Sequence, residues 1–206
     1  MTELSRLSAV IPAAGLSSRM GAFKPLLPFG GVTVAEASVG NALAAADKAV
    51  VVLGNRSQEL RELLCSRFGD RLIFAENPDY ASADMFASVK LGVRALPDCA
   101  AFFIAPADMP MIPPAVFRAL SQAFDPERDE IIIPVVGGRR GHPPLISSRL
   151  IPDILACDGS DGLRGFFRGR TVTELAVTGI GVLTDLDTPA DYERALSDLR
   201  RFCASE

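Results

Sequence analysis

The sequence predicts an α/β protein whose parallel sheet is covered by helices on both faces. Three observations carry this. Short, largely apolar runs at residues 7–12, 49–53 and 101–105 read as strands, and the uninterrupted run at 49–53 suits a strand covered on both faces, since a strand with one wet face alternates apolar and polar residues. Segments of helical pattern and sufficient length separate them, as crossover connections between parallel strands require. The chain has 206 residues, 49% hydrophobic and 22% charged, the balance of a globular protein able to bury a sizeable core.

Taken in order, residues 7–12 form the first strand and run directly into Ala13-Ala14-Gly15, a loop. Alanine-rich residues 34–46 suit a helix, 49–53 a strand, 58–68 a helix, 72–74 a strand and 84–96 a helix. The strand at 101–105 stops at Pro106, and Pro113-Pro114 opens a helix to about residue 124, because proline is tolerated in a first turn. Residues 131–135 continue the strands, and Gly137-Gly138 reads as a hairpin turn. Beyond it the alternation is less regular: a short helix at 161–168, a strand at 172–177, and a last helix from Pro189 to about Phe202, capped by Thr188.

The length suits a single domain over residues 1–206. A net charge of -4 argues against duplex nucleic acid as a partner, since phosphate neutralisation needs clustered cations. Cys65, Cys99, Cys157 and Cys203 show no metal-ligand spacing and read as reduced thiols of a cytoplasmic protein. No signal peptide and no apolar stretch of the ~20 residues a membrane helix needs is evident.

Ligands of open α/β sheets sit beyond the carboxyl ends of the strands. Three segments there carry chemistry-bearing residues. In the first, residues 12–25, small residues let the backbone approach an anion and its N–H groups can form a nest. Arg19 offers a forked cation for phosphate oxygens, and Lys24 a point charge. The segment is neither a P-loop nor a G-x-G-x-x-G fingerprint, and its plain alternative is a βα turn with two exposed basic side chains. In the second segment, Asp108 follows a buried strand, placed either to hold Mg²⁺ or to cap the loop. In the third, Asp185 and Asp187 share a side if the chain is extended there; one of them completes a metal site, or Asp187 and Thr188 merely cap the last helix.

These strings, with Asn77-Pro78-Asp79-Tyr80, Met85-Phe86-Ala87-Ser88-Val89 and Arg140-Gly141-His142-Pro143-Pro144, resemble the molybdenum cofactor nucleotidyltransferases over about residues 7–195. Within that family the cytidylyltransferase branch is the nearer likeness, because Pro12-Ala13-Ala14-Gly15 resembles the opening of the CTP users; this branch also includes accessory proteins of molybdenum hydroxylases. The resemblance implies a Rossmann-like nucleotidyltransferase fold of the nucleotide-diphospho-sugar transferase type, a three-layer sandwich with a mostly parallel sheet. It implies transfer of CMP from CTP to molybdopterin phosphate with Mg²⁺ as cofactor and pyrophosphate as product, and a molybdoenzyme as an eventual partner.

By position, the resemblance implies that Ala13, Ala14, Gly15, Ser17, Arg19 and Ser88 hold the nucleotide. Lys24 also binds the nucleotide and stabilises charge at the α-phosphate, Arg19 joins it as a catalytic cation in the transition state, Asp108 and Asp187 bind Mg²⁺, and His142 faces the acceptor. Two positions depart from the family pattern. Asp84 stands where Gly is usual before Met85, where it caps the helix or brings negative charge towards the triphosphate. Ser160 interrupts a Gly-Asp-x-Gly-x-Arg string near the acceptor. Alternatives are a guanylyltransferase using GTP on the same cofactor, a sugar-phosphate nucleotidyltransferase, and a non-catalytic carrier of molybdenum cofactor.

Overall fold

The computed structural model describes residues 6–203, apart from the side chains of Ile180, Phe202 and Cys203. The first half runs β1 (Leu7–Pro12), β2 (Pro28–Phe29), β3 (Val32–Thr33), α1 (Val34–Ala42), β4 (Lys48–Leu53), α2 (Ser57–Phe68), β5 (Leu72–Glu76) and α3 (Met85–Arg94). The second half runs β6 (Ala101–Ile104), α4 (Pro114–Ala123), β7 (Ile131–Val136), β8 (Arg139–Arg140), β9 (Leu145–Ser147), α5 (Ile151–Ala156), α6 (Gly162–Phe167), β10 (Val172–Ala176) and α7 (Pro189–Cys203).

The main sheet has the order β10-β7-β9-β6-β1-β4-β5, with β8 on β7, while β2 and β3 form a separate hairpin. Pairs β1–β4, β4–β5, β1–β6 and β7–β10 are parallel. Strand β9 is antiparallel to both β6 and β7. Strand β8 is antiparallel to β7. The sheet is therefore mostly parallel, as expected, with β8 and β9 inverted, and β9 is not legible in the sequence. Leu145-Ile146-Ser147 is too short to show a period, and its antiparallel pairing is a tertiary choice. Helix α5, with Pro152 in its first turn, escaped for the same reason of length.

The period of two along each strand divides the core between the two faces. Ala9, Ile11, Val51, Leu53 and Phe103 pack with residues of α1, α2 and α4. Val10, Val52, Phe102 and Ile104 pack with residues of α3, α5 and α6. All these strand residues are fully buried, and each such Val, Ile or Phe contributes roughly 1.5–3 kcal/mol relative to exposure. Helix α3 lies very close to the sheet: a Cβ at Gly92 would meet Val10 Cγ1 at 2.4 Å and Val52 Cγ2 at 2.9 Å. A third cluster joins α7 to the hairpin and the β1 loop through Met20, Phe29, Val34, Leu186 and Ala195.

Boundaries differ in detail from the sequence reading. Helix α1 ends at Ala42 and residues 43–45 form turns, so the alanines there do not prolong it. Asp84 and Pro113 are N-caps rather than helix members. Gly137 and Gly138 take φ of 57° and 75°, as a two-residue hairpin turn demands. Among the described residues no helix is long and apolar enough to cross a membrane, and Cys65, Cys99 and Cys157 are free thiols.

Candidate active site

The chain proceeds from β1 to β4 and β5 on one side, then returns to β6 on the other side of β1. At such a reversal the loops leaving neighbouring strands diverge and open a crevice. A cavity of about 350 Å³ lies there, bordered by the loops after β1 and β6, the start of α3, and Asp187.

The β1 loop is fixed in shape by its own residues. Ala13 N donates to Val52 O at 2.9 Å, which continues the sheet one residue past the strand. Ser17 adopts a left-handed φ of 56°, and its Oγ accepts from Lys24 N at 3.1 Å, closing the loop on itself. The 3-10 turn Lys24–Leu26 then buries Lys24. At Gly54, just past β4, a Cβ would lie 2.6 Å from Tyr80 Cβ and 2.8 Å from Ala14 Cβ, so only glycine lets those two loops approach.

Asp108 is held from three sides. Ala107 N donates to Pro12 O at 3.1 Å, Ser38 Oγ donates to Ala107 O at 3.0 Å, and Asn41 Nδ2 donates to Pro110 O at 3.0 Å. Leu186 N donates to Asp108 O at 3.1 Å and so brings the segment before α7 to the same place. Thr188 and Asp191 form a reciprocal cap, with Thr188 N donating to Asp191 Oδ2 at 3.0 Å and Asp191 N to Thr188 Oγ1 at 3.3 Å. Thr188 therefore caps α7, which leaves Asp187 to the cavity.

Lys24 Nζ lies 3.1 Å from Asp108 Oδ2 and 2.9 Å from Asp187 Oδ1. Arg19 Nη1 lies 2.8 Å from Asp187 Oδ2. Burial alone would lower the Lys24 pKa, but the bond to Asp187 and the charge of Asp108 outweigh it, and the ammonium is held above its ordinary value. The Lys24 hydrogen bond in turn holds the Asp187 carboxyl below its ordinary range. On the opposite wall, Ser88 is buried and its Oγ accepts from Asn77 Nδ2 at 2.9 Å.

The structure brings together Ala13, Ala14, Gly15, Ser17, Arg19, Lys24, Ser88, Asp108 and Asp187 around one cavity. His142 does not line it. Its ring packs against the Ile104 carbonyl within the field of Asp108, Asp185 and Arg164, and burial pushes its pKa down. Asp185 is also off the cavity: the chain enters from a 3-10 turn at Ile180–Leu183 and is irregular at Asp185, so strand-like alternation does not pair it with Asp187. Tyr80, Ala83 and Met85 line the wall without having been anticipated, because their presence depends on how the segment after β5 folds back. Asp84 both caps α3, accepting from Ala87 N at 2.8 Å, and lines the cavity.

Comparison with known proteins agrees with this fold. The sequence pattern of the MobA-like NTP transferase domain matches residues 9–175. The chain is 30% identical over 189 residues to the molybdenum cofactor cytidylyltransferase of Escherichia coli (strain K12), covering 92% of this chain and 95% of that protein. A nucleotidyl transferase from Methanothermobacter superposes with a TM-score of 0.81 at 29% identity, covering 96% of this chain and 99% of that one. The Rv0371C protein of Mycobacterium tuberculosis H37Rv, in a complex with manganese, superposes with a TM-score of 0.74 at 26% identity, covering 94% and 99%. The chain belongs to the MobA-like NTP transferase family and is a nucleotidyltransferase.

Proposed function

We propose that this nucleotidyltransferase moves CMP from CTP to the phosphate of molybdopterin, with Mg²⁺ as cofactor and pyrophosphate as the leaving group. The carrying observation is the convergence of Lys24, Asp108 and Asp187 at the cavity beneath the Ala13–Arg19 loop. The choice of substrates rests on the cytidylyltransferase relative and on the Pro12-Ala13-Ala14-Gly15 opening.

The donor set suits a hard divalent cation. Two carboxylates, with side chains 30% and 28% exposed, face one space, and oxygen ligands are what Mg²⁺ prefers. Among the described residues no cluster of three His, Cys, Asp or Glu forms a complete cage, so phosphate oxygens and water would fill the remaining positions. The manganese complex of the mycobacterial relative supports the assignment of a metal to this fold. Asp108 and Asp187 would hold the ion, which when bound supplies charge neutralisation for the leaving pyrophosphate.

The rest of the work falls to this chain's own groups. Ala13, Ala14 and Gly15 let the backbone approach the nucleotide, and the Ser17 turn keeps that loop in shape. Lys24 stays charged and stabilises the equatorial oxygens at the α-phosphorus, while Arg19 reaches the outer phosphates. Ser88, oriented by Asn77, contacts the nucleoside. His142 lies outside the cavity, and its assignment to the acceptor side rests on the likeness of the Arg140-Gly141-His142-Pro143-Pro144 string to the family pattern. The acceptor phosphate is already ionised near neutral pH. As its oxygen bonds to the α-phosphorus the bond to pyrophosphate breaks in line, and no general base is needed.

The test is pyrophosphate release with Mg²⁺ and molybdopterin, comparing CTP, GTP, ATP and UTP. Release with CTP alone is expected. Release with GTP alone would move the acceptor reaction to a guanylyl donor, and release with none, despite nucleotide binding, would overturn the acceptor. Asp108→Ala that keeps near-normal turnover would overturn the metal assignment.

A further inference from the structure

The Lys24 end of the cavity is cationic and suits phosphates; the α3 end has a different character. Among the described residues two large apolar side chains are exposed, Leu16 at 46% and Met85 at 51%, and both line this cavity. One comes from the β1 loop and the other from the first turn of α3. Phosphate and ribose hydroxyls offer such side chains little, whereas a flat heteroaromatic face removes them from water.

Asp84 stands beside Met85 on the same wall. Its Oδ1 accepts from Ala87 N, and among the described residues it makes no further hydrogen bond or ion pair. An ionised carboxylate only accepts, so the remaining oxygen selects a ligand that donates. Its charge also repels phosphates, which assigns the triphosphate to the Arg19 and Lys24 end. Cytosine carries an amino donor at position 4, where uracil carries a carbonyl acceptor.

We propose that Asp84, flanked by Leu16 and Met85, is a specificity-determining residue that reads the 4-amino group of the cytosine base. This deepens the CTP reading above and rests on it. A carboxylate facing the uracil oxygen is left unpaired and repelled, so discrimination comes from rejecting UTP as much as from holding CTP.

Binding of CTP and of UTP, each with Mg²⁺ and without acceptor, measured by titration calorimetry tests this. The wild type is expected to favour CTP by roughly ten- to a hundredfold, the scale of a hydrogen bond to a charged group. Asp84→Ser still caps α3 and is expected to bring the two affinities together. Asp84→Asn keeps Oδ1 for the Ala87 amide and turns the free position into a donor, so its preference should move towards UTP. An unchanged CTP:UTP ratio in both variants overturns the inference and leaves the cytidylyl reading standing. A wild type that binds neither nucleotide overturns both.

Discussion

Lys24 Nζ lies 2.9 Å from Asp187 Oδ1, although 163 residues separate them in sequence. The same ammonium lies 3.1 Å from Asp108 Oδ2, so one buried cation ties the loop after β1, the loop after β6 and the segment before α7 into one site. Replacing it should damage chemistry more than fold. Lys24→Met is expected to lower kcat by roughly a hundred- to a thousandfold, the scale of losing one preorganised transition-state contact. Thermal unfolding is expected to move by only a few degrees, because both carboxylates keep access to solvent. Near-normal kcat in a folded variant would remove Lys24 from the catalytic machinery.

The same pair predicts a pH dependence of stability. Asp187 has its pKa held down, first by the Lys24 hydrogen bond, with burial opposing and Arg19 assisting. A carboxyl with a depressed folded pKa stabilises fully above its unfolded value near 4 and loses that contribution as pH falls through the folded value. Lys24, raised above its ordinary 10.5, contributes fully below that pH and loses its contribution as pH rises through the folded value. The stability difference between wild type and Lys24→Met, from urea unfolding, should therefore be constant from about pH 5 to 9 and shrink in acid. A difference that persists undiminished below about pH 2 would contradict the linkage.

Gly92 supports the site through helix position. Gly92→Ala places a methyl 2.4 Å from Val10 Cγ1, in a fully buried strand, and is expected to destabilise by about 1–3 kcal/mol. Because α3 carries Ser88, any outward shift of the helix also moves the cavity wall, so KM for the nucleotide should rise along with the loss of stability. Chemical denaturation and steady-state kinetics on one preparation measure both, and an unchanged unfolding midpoint would contradict the packing argument.

His142 is the chain's one histidine, so a proton NMR titration reads it without assignment. Burial is the main cause holding its pKa below the ordinary 6.5, against the pull of the Ile104 carbonyl, Asp108 and Asp185. The expected midpoint is below 6.5. The unfolded chain then binds the proton more readily, so stability present above pH 6.5 declines as pH falls below it. A midpoint at or above 6.5 would mean a charged imidazolium paired with the nearby carboxylates.

The sequence exposed those parts of the site whose signal is local. Ala13-Ala14-Gly15 follow β1 directly and Asp108 lies in the loop after β6, beyond apolar runs that are plain in the sequence, and strand ends are where such sheets bind ligands. The unequal fates of Asp185 and Asp187 were not legible, because they depend on a 3-10 turn and on the bond from Leu186 N to Asp108 O. Nor was the displacement of His142 from the cavity, which follows from the path of the chain after β8 against Val182: His142 N donates to Val182 O at 2.8 Å. Strand β9 was missed because three residues carry no measurable period.

The Leu186–Asp108 backbone bond makes the two carboxylates a reporter of local opening. If the segment before α7 lifts away while the sheet stays folded, Asp108 keeps its place, but Arg19 and Lys24 lose Asp187 together. Such a partial opening exposes the Leu186 amide without exposing the amides of β1. Hydrogen exchange at Leu186 faster than at Val10 would then measure the fraction of folded molecules whose site is dismantled, a population invisible to any experiment that follows only global unfolding.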